Sequence, residues 1–442
     1  MTTNVNGDFR ETEPRPEQSE WIGALPADWH VVVLRDKYIF TQKPRGLRYD
    51  AFESIPFVPM ELIPFRKIAF HDYILKKPNG FSSGTYFEAG DFLLPKITPS
   101  FENGKQGIIP QLPNGFGVAT TEVIPIKGIE GASDIGFLFY YLLKNDVRVA
   151  LAGKMEGSTG RQRLSKAVVE SLLIPFPPLP EQRAIARVLS TIQRAIEAQD
   201  NLIAAARELK KSLMRQLFTR GLDANGAVQE TEIGVMPEHW DLQELGAVAE
   251  IVYGAQAAVA NLKDKNVGTP ILTNINITNE GNLDLTTLRY YPVPANKRER
   301  LVLTKGDLLF NWRSGSQEHV GKTALFNLDG EYTFASFILR FRVNERMHNI
   351  FLHFYLQYLK AQKFFAQKRD QSSVNSVFNA SKAQKIPVLL PSLSEQREIA
   401  RILATADKKI ENEEKRKAAL EALFKTMLQQ LMTGKLRMRD EG

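Results

Sequence analysis

One stretch of thirteen residues occurs twice in this chain, and this internal repeat limits the possible folds more than any other feature. The first copy covers residues 177–189 and reads PPLPEQRAIARVL; the second covers residues 391–403 and reads PSLSEQREIARIL. Residues 22–29 and 233–240 share the spacing Ile-Gly-x-x-Pro-x-x-Trp. Because both pairs recur in the same order at similar separations, we interpret the chain as two copies of one unit.

Each copy of the repeated stretch opens a long helical pattern. Apolar residues recur at steps of mostly three and four, which is typical of a coiled-coil seam. The seam residues are Ile185, Leu189, Ile192, Ile196, Ile203, Ala206, Leu209, Leu213 and Leu217 in the first helix and Ile399, Leu403, Ala406, Ile410, Leu420, Leu423, Met427 and Leu431 in the second. We expect helices over residues 181–218 and 395–432, each roughly 57 Å long, with a polar interval at 413–417 in the second.

The ends of these helices are also marked in the sequence. Ser392 followed three residues later by Glu395 is typical of a capping box, and Pro180 with Glu181 suits a first helical turn. Gly221 and Gly434 follow the two apolar stripes, where a glycine commonly ends a helix.

Further markers between the repeats predict a mixed α+β domain in each half. A Gly-Asp pair precedes an apolar strand at Gly90-Asp91 and at Gly306-Asp307. Strand-like and helix-like segments follow in both halves, at 121–126 and 137–143 and at 336–341 and 351–357. The stretches between these markers differ, which fits either two different ligands on one framework or neutral drift after an old duplication.

The predicted fold class is α+β, with two mixed α/β globular domains. Two long antiparallel helices, forming a coiled coil, separate the domains, and the internal repeat gives a pseudo-twofold relation. The predicted segments are a disordered N-terminal tail at 1–20, a first domain at 21–178, a central helix and linker at 179–231, a second domain at 232–392 and a C-terminal helix at 393–442.

Composition excludes several classes of protein. The chain has 442 residues, of which 43% are apolar and 24% charged, and this is ordinary for a soluble protein of two or three domains. No apolar run approaches the ~20 residues of a membrane helix, and the N-terminus lacks a signal-peptide pattern, so we expect a cytoplasmic protein without membrane contact. The absence of cysteine excludes disulfides, thiol catalysis and thiolate metal sites. A net charge of +7 permits an anionic partner.

The sequence offers no catalytic constellation. Its six histidines show no metal-binding spacing. The segment 315–323 resembles a phosphate-binding loop but has five residues between its glycines instead of four, so we interpret it as a polar loop. The tetrapeptide with which amino-methyltransferases hold a flipped base is absent, and Asp91, Glu102 and Lys105 do not form a nuclease pattern. We therefore predict no catalytic site, no metal and no cofactor on this chain.

Polar loops that carry cations and amides are the candidate DNA-binding sites. Arginine can bind guanine through O6 and N7, and asparagine or glutamine can bind adenine through N6 and N7. Residues 157–164 are the most suggestive, because they combine two glycines, hydroxyls and two arginines. The candidate residues are Lys96, Lys105, Arg161, Gln162 and Arg163 in the first half and Asn311, Arg313, Lys322, Ser372 and Asn375 in the second. Solvated surface loops are the alternative explanation for each of them.

Across nearly its full length, the chain resembles the DNA-specificity subunits of type I restriction–modification systems. The resemblance rests on the doubled Pro-x-Leu-x-Glu-Gln-x-x-Ile-x-x-x-Leu, the doubled Ile-Gly-x-x-Pro-x-x-Trp and the two Gly-Asp strands, in this order. It implies two target-recognition domains on double-stranded DNA, each reading one half of a bipartite, asymmetric site. Ser376 and Asn375 replace the Gly/Arg pattern of the first loop, so the second domain departs from the first.

The same resemblance implies partners. Two methyltransferase subunits that bind S-adenosylmethionine, and restriction subunits that use ATP and Mg²⁺, would dock on the chain. The expected docking or spacer positions are Glu181, Gln182, Arg183, Ile185 and Leu189 in the first helix and Glu395, Gln396, Arg397, Ile399 and Leu403 in the second. Two alternatives stay open: a structural coiled-coil adaptor that binds proteins rather than DNA, and a free-standing nuclease.

Overall fold

The chain contains two compact units. A computed structural model describes residues 9–10, 22–65, 67–80, 83–158, 160–256, 268–314, 319–367 and 376–438. Unit 1 comprises Met1–Asn201 together with Lys415–Gly442, and unit 2 comprises Leu202–Glu414. Each unit therefore includes part of both long helices.

Unit 1 is built on two four-stranded sheets. Its strands are β1 (Phe9–Arg10), β2 (Leu25–Pro26), β3 (His30–Val33), β4 (Tyr38–Phe40), β5 (Ile55–Val58), β6 (Ile74–Lys76), β7 (Thr85–Glu88), β8 (Phe92–Pro95), β9 (Gly107–Ile108), β10 (Phe116–Ala119), β11 (Val123–Gly128) and β12 (Leu173–Phe176). Its helices are α1 (Leu34–Lys37), α2 (Ile135–Tyr141), α3 (Asn145–Ala152), α4 (Lys166–Glu170) and the first part of α5 (Leu179–Arg220). The sheet orders are β6-β5-β10-β7 and β4-β11-β8-β9, and β1 pairs with β2 and β3 with β12.

Unit 2 repeats this plan. Its strands are β13 (Val228–Thr231), β14 (Gly234–Pro237), β15 (Asp241–Glu244), β16 (Ala249–Tyr253), β17 (Thr269–Leu272), β18 (Arg289–Tyr291), β19 (Leu308–Asn311), β20 (Arg313–Ser314), β21 (Thr323–Leu325), β22 (Thr333–Phe334), β23 (Ile338–Val343), β24 (Ser376–Val377) and β25 (Pro387–Leu390). Its helices are α6 (Arg298–Leu301), α7 (Asn349–Ala361), α8 (Phe364–Gln367), α9 (Ala380–Gln384) and the first part of α10 (Leu393–Met432). The sheet β16-β23-β19-β21 matches β4-β11-β8-β9, and β18-β17-β22 matches β6-β5-β10. The internal repeat is thus confirmed at the level of topology.

The Gly-Asp pairs start the central strands β8 and β19 as predicted. Gly90 and Gly306 have φ angles of +88° and +95°, which glycine adopts without the steric cost of a side chain. The following carboxylates, Asp91 and Asp307, each accept a hydrogen bond of 2.8 Å from the backbone N–H three residues earlier. Both carboxylates are buried. The same turn therefore sets the start of the same strand in each unit.

The two glutamines of the repeated stretch have one structural role. Gln182 accepts a hydrogen bond from the backbone N–H of Asp134 (2.9 Å), and Gln396 accepts one from the N–H of His348 (2.7 Å). Asp134 and His348 are the N-cap residues of α2 and α7. Each glutamine also donates to the carbonyl of the proline five residues earlier. The repeated stretch thus joins the start of a long helix to the start of the apolar helix of its own unit.

The long helices begin and end where the sequence indicates. The α5 helix has 42 residues and α10 has 40. The Ser392 hydroxyl accepts a hydrogen bond from the N–H of Glu395 (3.3 Å), which is the N-cap half of the predicted box. Gly221 and Gly434 have φ angles of +68° and +67° directly after the helices. A Cβ at Gly221 would lie 3.2 Å from Trp240. The helix end therefore packs on the Ile-Gly-x-x-Pro-x-x-Trp segment of unit 2.

The predicted apolar seam is wrong at two positions. Leu209 is 57% exposed and Leu423 is 46% exposed, so neither lies in a core. Next to Leu209, the largely buried Lys210 side chain reaches Asp407 across the helices (2.6 Å). Next to Leu423, Phe424 packs against Tyr140 with ring centroids 6.0 Å apart. At these two places the inward-facing residue is therefore the neighbour of the predicted leucine, whereas Ile203, Leu217, Ile410 and Leu431 are buried as predicted.

Within the described part of the chain, no helix has the length and apolar character that crossing a lipid bilayer requires.

Candidate nucleic-acid interface

The structure brings Lys96, Arg161, Gln162 and Arg163 together in unit 1. The backbone N–H of Thr98 donates to the carbonyl of Gln162 (3.0 Å), and the N–H that follows Arg163 donates to the carbonyl of Lys96 (2.7 Å). The Arg161 side chain is exposed. The segment that contains Arg161 and Arg163 therefore lies beside the segment that contains Lys96. We call residues 157–164 the first cationic loop.

The geometry of this loop depends on a glycine and an ion pair. Gly157 has a φ of +131°, and a Cβ there would lie 2.8 Å from the carbonyl oxygen of Arg161, so only glycine fits. The Arg163 guanidinium binds Glu122 in a fork, with Nε 3.0 Å from each carboxylate oxygen and Nη2 2.8 Å from Oε1. Arg163 and the charge of Lys96 lower the pKa of Glu122. Arg163 is thus partly neutralised, whereas Arg161 presents its charge to solvent.

Lys105 and Lys322 occupy equivalent positions, which the sequence did not reveal. Phe92 pairs with Ile108 in the first β-hairpin and Leu308 with Leu325 in the second, and each lysine lies three residues before the paired residue. Their ammonium groups therefore reach the same place in each unit.

Both lysines hold the 3-10 turn that follows the equivalent strands β5 and β17. Lys105 Nζ donates to the carbonyl of Met60 (2.7 Å), and Lys322 Nζ donates to the carbonyls of Asn274 (3.1 Å) and Ile277 (2.5 Å). Burial lowers the pKa of Lys322. These contacts give both lysines a structural role in the protein alone, and DNA contact by either would require them to leave it.

The structure also brings predicted residues of the second half together, because the backbone N–H of Asn311 donates to the carbonyl of Lys322 (2.8 Å). Asn311 is fully buried and its amide donates to the carbonyl of His319 (2.8 Å). The Arg313 guanidinium lies 5.6 Å from the ring centre of Phe337, whose side chain is partly exposed. Ser372 and Asn375 lie outside the described residues. Of the second-half candidates that are described, Arg313 has the geometry most suited to surface contact.

A buried histidine links helix α7 to strand β21 in unit 2. His353 Nδ1 lies 3.3 Å from the hydroxyl of Thr323, and the Gln357 amide donates to His353 Nε2 (2.7 Å). Burial, with a smaller contribution from the charge of Lys210, lowers the pKa of His353 to about 3. The imidazole is therefore neutral at physiological pH and serves as a structural link rather than as an acid or base.

The predicted docking positions divide into buried and exposed groups. Glu181, Gln182, Ile185, Leu189, Gln396, Ile399 and Leu403 are buried, Glu395 is half-buried, and Arg183 and Arg397 are exposed. Glu181 accepts hydrogen bonds from Trp29 Nε1 (2.9 Å) and from Arg437 (2.8 Å) within unit 1. Of these ten positions, only the two arginines, at equivalent positions of α5 and α10, are exposed to solvent.

No group of three or more histidine, aspartate and glutamate side chains is arranged to hold a metal ion in the described ranges.

Comparison with known proteins decides the family. Residues 56–205 and 237–422 match the family model described as the type I restriction modification DNA specificity domain. The chain belongs to this family. The two matched segments correspond to the two halves of this specificity chain, so the internal repeat is a feature of the family domain itself.

Individual relatives match different shares of the specificity chain. It is 25% identical over 439 residues to the type I restriction enzyme MjaVIII specificity subunit of Methanocaldococcus jannaschii, covering 94% of this chain and 95% of the relative. It is 29% identical over 242 residues to the EcoAI specificity subunit of Escherichia coli, covering 54% of this chain and 38% of the relative. The similarity thus extends over the whole chain in one relative and over about half of it in the other.

Solved structures share the fold of the specificity chain. One comes from work on complex assembly and conformational transition of the type I R-M system, with a TM-score of 0.58, 18% identity, and coverage of 93% of this chain and 99% of the other. The S subunit of a type I system from M. genitalium gives a TM-score of 0.56 at 15% identity, covering 91% and 96%. At these identities the comparisons establish the fold alone.

Two exposed residues of the specificity chain escaped the sequence analysis, namely Glu61 and Ile275. They lie in the equivalent 3-10 turns Met60–Leu62 and Asn274–Asn276. Pro56 and Pro270, in the preceding strands, have the same separation as the two copies of the repeated stretch. This shared spacing is the signal that would have aligned the two turns.

Proposed function

We propose that this chain is the non-catalytic subunit of a type I restriction–modification complex that recognises a bipartite, asymmetric DNA sequence. One observation carries the proposal: the same framework occurs twice, and equivalent surface positions carry different side chains. Glu61 in unit 1 corresponds to Ile275 in unit 2. Two readers with different surfaces would recognise two different half-sites, and each would contribute its own base contacts.

We further propose that α5 and α10 pair as an antiparallel coiled coil that sets the spacing of the half-sites. Asp200 of α5 binds Lys417 of α10 in unit 1 (2.6 Å), and Lys210 of α5 binds Asp407 of α10 in unit 2 (2.6 Å). Residue numbers thus rise along one helix as they fall along the other. A helix of this length spans about 63 Å at 1.5 Å per residue, and two readers reach one face of a duplex when their half-sites lie near a helical turn of about 34–36 Å apart.

The partners in this proposal are two methyltransferase subunits and the restriction subunits. The repeated stretch presents Arg183 and Arg397 at equivalent exposed positions, which supports the binding of two copies of one partner. S-adenosylmethionine, ATP and Mg²⁺ would be bound by those partners and not by this chain. Such a complex would act on DNA in the cytoplasm.

The first cationic loop offers a test against the alternative of a protein-binding adaptor. Replacing Arg161 and Arg163 by alanine is expected to weaken binding to the specific DNA roughly 5- to 150-fold, the range of a lost base contact. The affinity of the chain with its methyltransferase would be measured at fixed salt, because phosphate contacts make DNA affinity depend on salt.

A matched control separates the loss of the arginines from the loss of their ion pair. Glu122→Gln breaks the pair with Arg163 but retains both cations, so it should bind DNA as well as the wild-type chain or better. An adaptor that does not contact DNA would show equal affinities for the double alanine variant, the Glu122→Gln control and the wild type.

A further inference from the structure

The 3-10 turns Met60–Leu62 and Asn274–Asn276 are the same element in two copies. Val58 pairs with Ala119 in unit 1 and Leu272 pairs with Phe334 in unit 2, in both cases in parallel orientation. Each turn begins two residues after the paired residue of its strand. The turns therefore leave the sheet at the same point and in the same register.

The turn in unit 2 is held rigidly. Asn276 Oδ1 accepts hydrogen bonds from the backbone N–H and the hydroxyl of Thr273, both at 2.9 Å. The Asn276 amide donates to the carbonyls of Asp284 (2.8 Å) and Thr287 (2.9 Å). Together with the bonds from Lys322, these contacts fix the backbone on both sides of Ile275.

This rigid turn presents an aliphatic side chain to solvent. Ile275 is 59% exposed, although its neighbour Asn276 is buried and fully hydrogen-bonded. Keeping apolar surface in water has a cost, of about 25 cal/mol per Å², and a stiff turn cannot hide the side chain by moving. Single exposed apolar residues are common on protein surfaces, but a fixed position makes this side chain available for contact with an apolar group of a partner.

The turn in unit 1 shares the lysine contact but has a different tip, and Leu62 occupies the position of Asn276. Lys105 holds the Met60 carbonyl as Lys322 holds that of Asn274. The exposed tip is Glu61, at the rim of a shallow cleft of about 380 Å³. The cleft is lined by Phe57, Pro59, Met60, Glu61, Lys76, Gly80, Ser83, Thr120 and Thr121. Lys76 Nζ lies 3.8 Å from the ring centre of Phe57, so one cation and the carboxylate tip line the same cleft.

We propose that these two turns are base-reading elements and that Glu61 and Ile275 each determine one base pair of a half-site. This inference rests on the proposed function. In the major groove, a glutamate accepts a hydrogen bond from the N4 amino group of cytosine, and an aliphatic side chain packs against the methyl group of thymine. Unit 1 then selects a cytosine through Glu61. Unit 2 selects a thymine through Ile275.

The test measures methylation at every single-base variant of the target, in cells that carry the chain with its methyltransferase. Glu61→Gln is expected to reduce discrimination for cytosine roughly tenfold at one position of the first half-site, because glutamine pairs better with adenine. Ile275→Ala is expected to reduce the preference for thymine several-fold at one position of the second half-site. In each case the other half-site should be unchanged.

Two control variants alter exposed residues outside the turns. The first is Glu53→Gln, two residues before the start of β5, whereas the turn follows the end of β5. The second is Val228→Ala, in the β13–β14 hairpin. Both should leave all base preferences unchanged. If both Glu61→Gln and Ile275→Ala keep the wild-type base preferences and the two-part motif, the assignment of the turns is wrong. The proposed function would still stand in that case. A wild-type chain without a two-part motif would overturn both.

Discussion

Lengthening both long helices by four residues is expected to increase the separation between the two half-sites by about two base pairs. The sequence of each half-site should not change. Four helical residues add about 6 Å, and one base pair of duplex DNA occupies about 3.4 Å. Four residues also make slightly more than one turn, so the buried stripe of each helix stays close to its original face. The insertions would follow Ala204 in α5 and Glu414 in α10, between the cross-helix pairs Asp200–Lys417 and Lys210–Asp407.

The increase in the separation between the half-sites should grow with the length of the insertion. Seven residues in each helix add about 10.5 Å and should increase the separation between the half-sites by about three base pairs. Four residues inserted in the 223–226 turn, outside the helices, form the control and should not change the spacing. The readout is the methylated motif in cellular DNA. An unchanged motif in both helix-insertion variants, with methylation retained, would contradict the role of the helices as a spacer.

Replacing Arg342 by methionine is expected to destabilise unit 2 by about 2–3 kcal/mol. Arg342 binds the carboxylate of Asp307 in a fork, Nε to Oδ1 at 2.8 Å and Nη2 to Oδ2 at 2.7 Å. Asp307 is 1% exposed, so the substitution leaves a buried carboxylate without its cation. Removing one partner of a fully buried pair costs about 3–5 kcal/mol, and the 36% exposure of the Arg342 side chain reduces this value.

Unit 1 offers the matched control for this prediction. Lys127 lies on β11, the strand equivalent to β23, but it binds Glu88 at 2.7 Å rather than the buried Asp91. Because this pair is more exposed, Lys127→Met should cost about 1 kcal/mol or less. The double variant Asp307→Asn with Arg342→Met should be more stable than Arg342→Met alone. Urea unfolding measures all three, and equal losses for Arg342→Met and Lys127→Met would refute the argument.

The pKa of Asp91 bears on the stability of unit 1. Burial raises the pKa of Asp91 to about 6. A carboxyl whose pKa is raised on folding stabilises the folded state less as the pH rises, and the change falls between its unfolded value near 4 and about 6. The Gly-Asp turn is the same in both units, but the cation near its aspartate is used differently. Arg342 binds Asp307 in unit 2, whereas Lys127 binds Glu88 in unit 1.

The repeated framework was predictable because local residues decide it. A glycine with positive φ before an aspartate starts β8 and β19, and Ser392 and the glycines after the helices fix helix ends. The phase of the helix seam was not predictable from apolar residues alone, because Lys210 is largely buried in it through an ion pair with Asp407. The exposure of Leu209 accompanies that pair, and the exposure of Leu423 accompanies the packing of Phe424 against Tyr140.

The candidate site was predictable only in part. A sequence shows that Lys105 and Lys322 are cationic, but only the three-dimensional structure shows that each donates to the carbonyls of a turn. Their equivalence was hidden because the loops between the repeats differ in length. Glu61 and Ile275 carry no chemical signature of their own, and their exposure on a rigid turn is a property of the fold. The gathering of Lys96 with Arg161, by contrast, agrees with the loop that the sequence singled out.

The central claim is that two different readers on one chain recognise two half-sites at a fixed separation. Sequencing of methylated DNA from cells that carry the wild-type chain with its methyltransferase tests this claim most directly. We expect one motif with two dissimilar defined parts, separated by a constant number of undefined bases. A single continuous motif, two identical parts or a variable separation would contradict it.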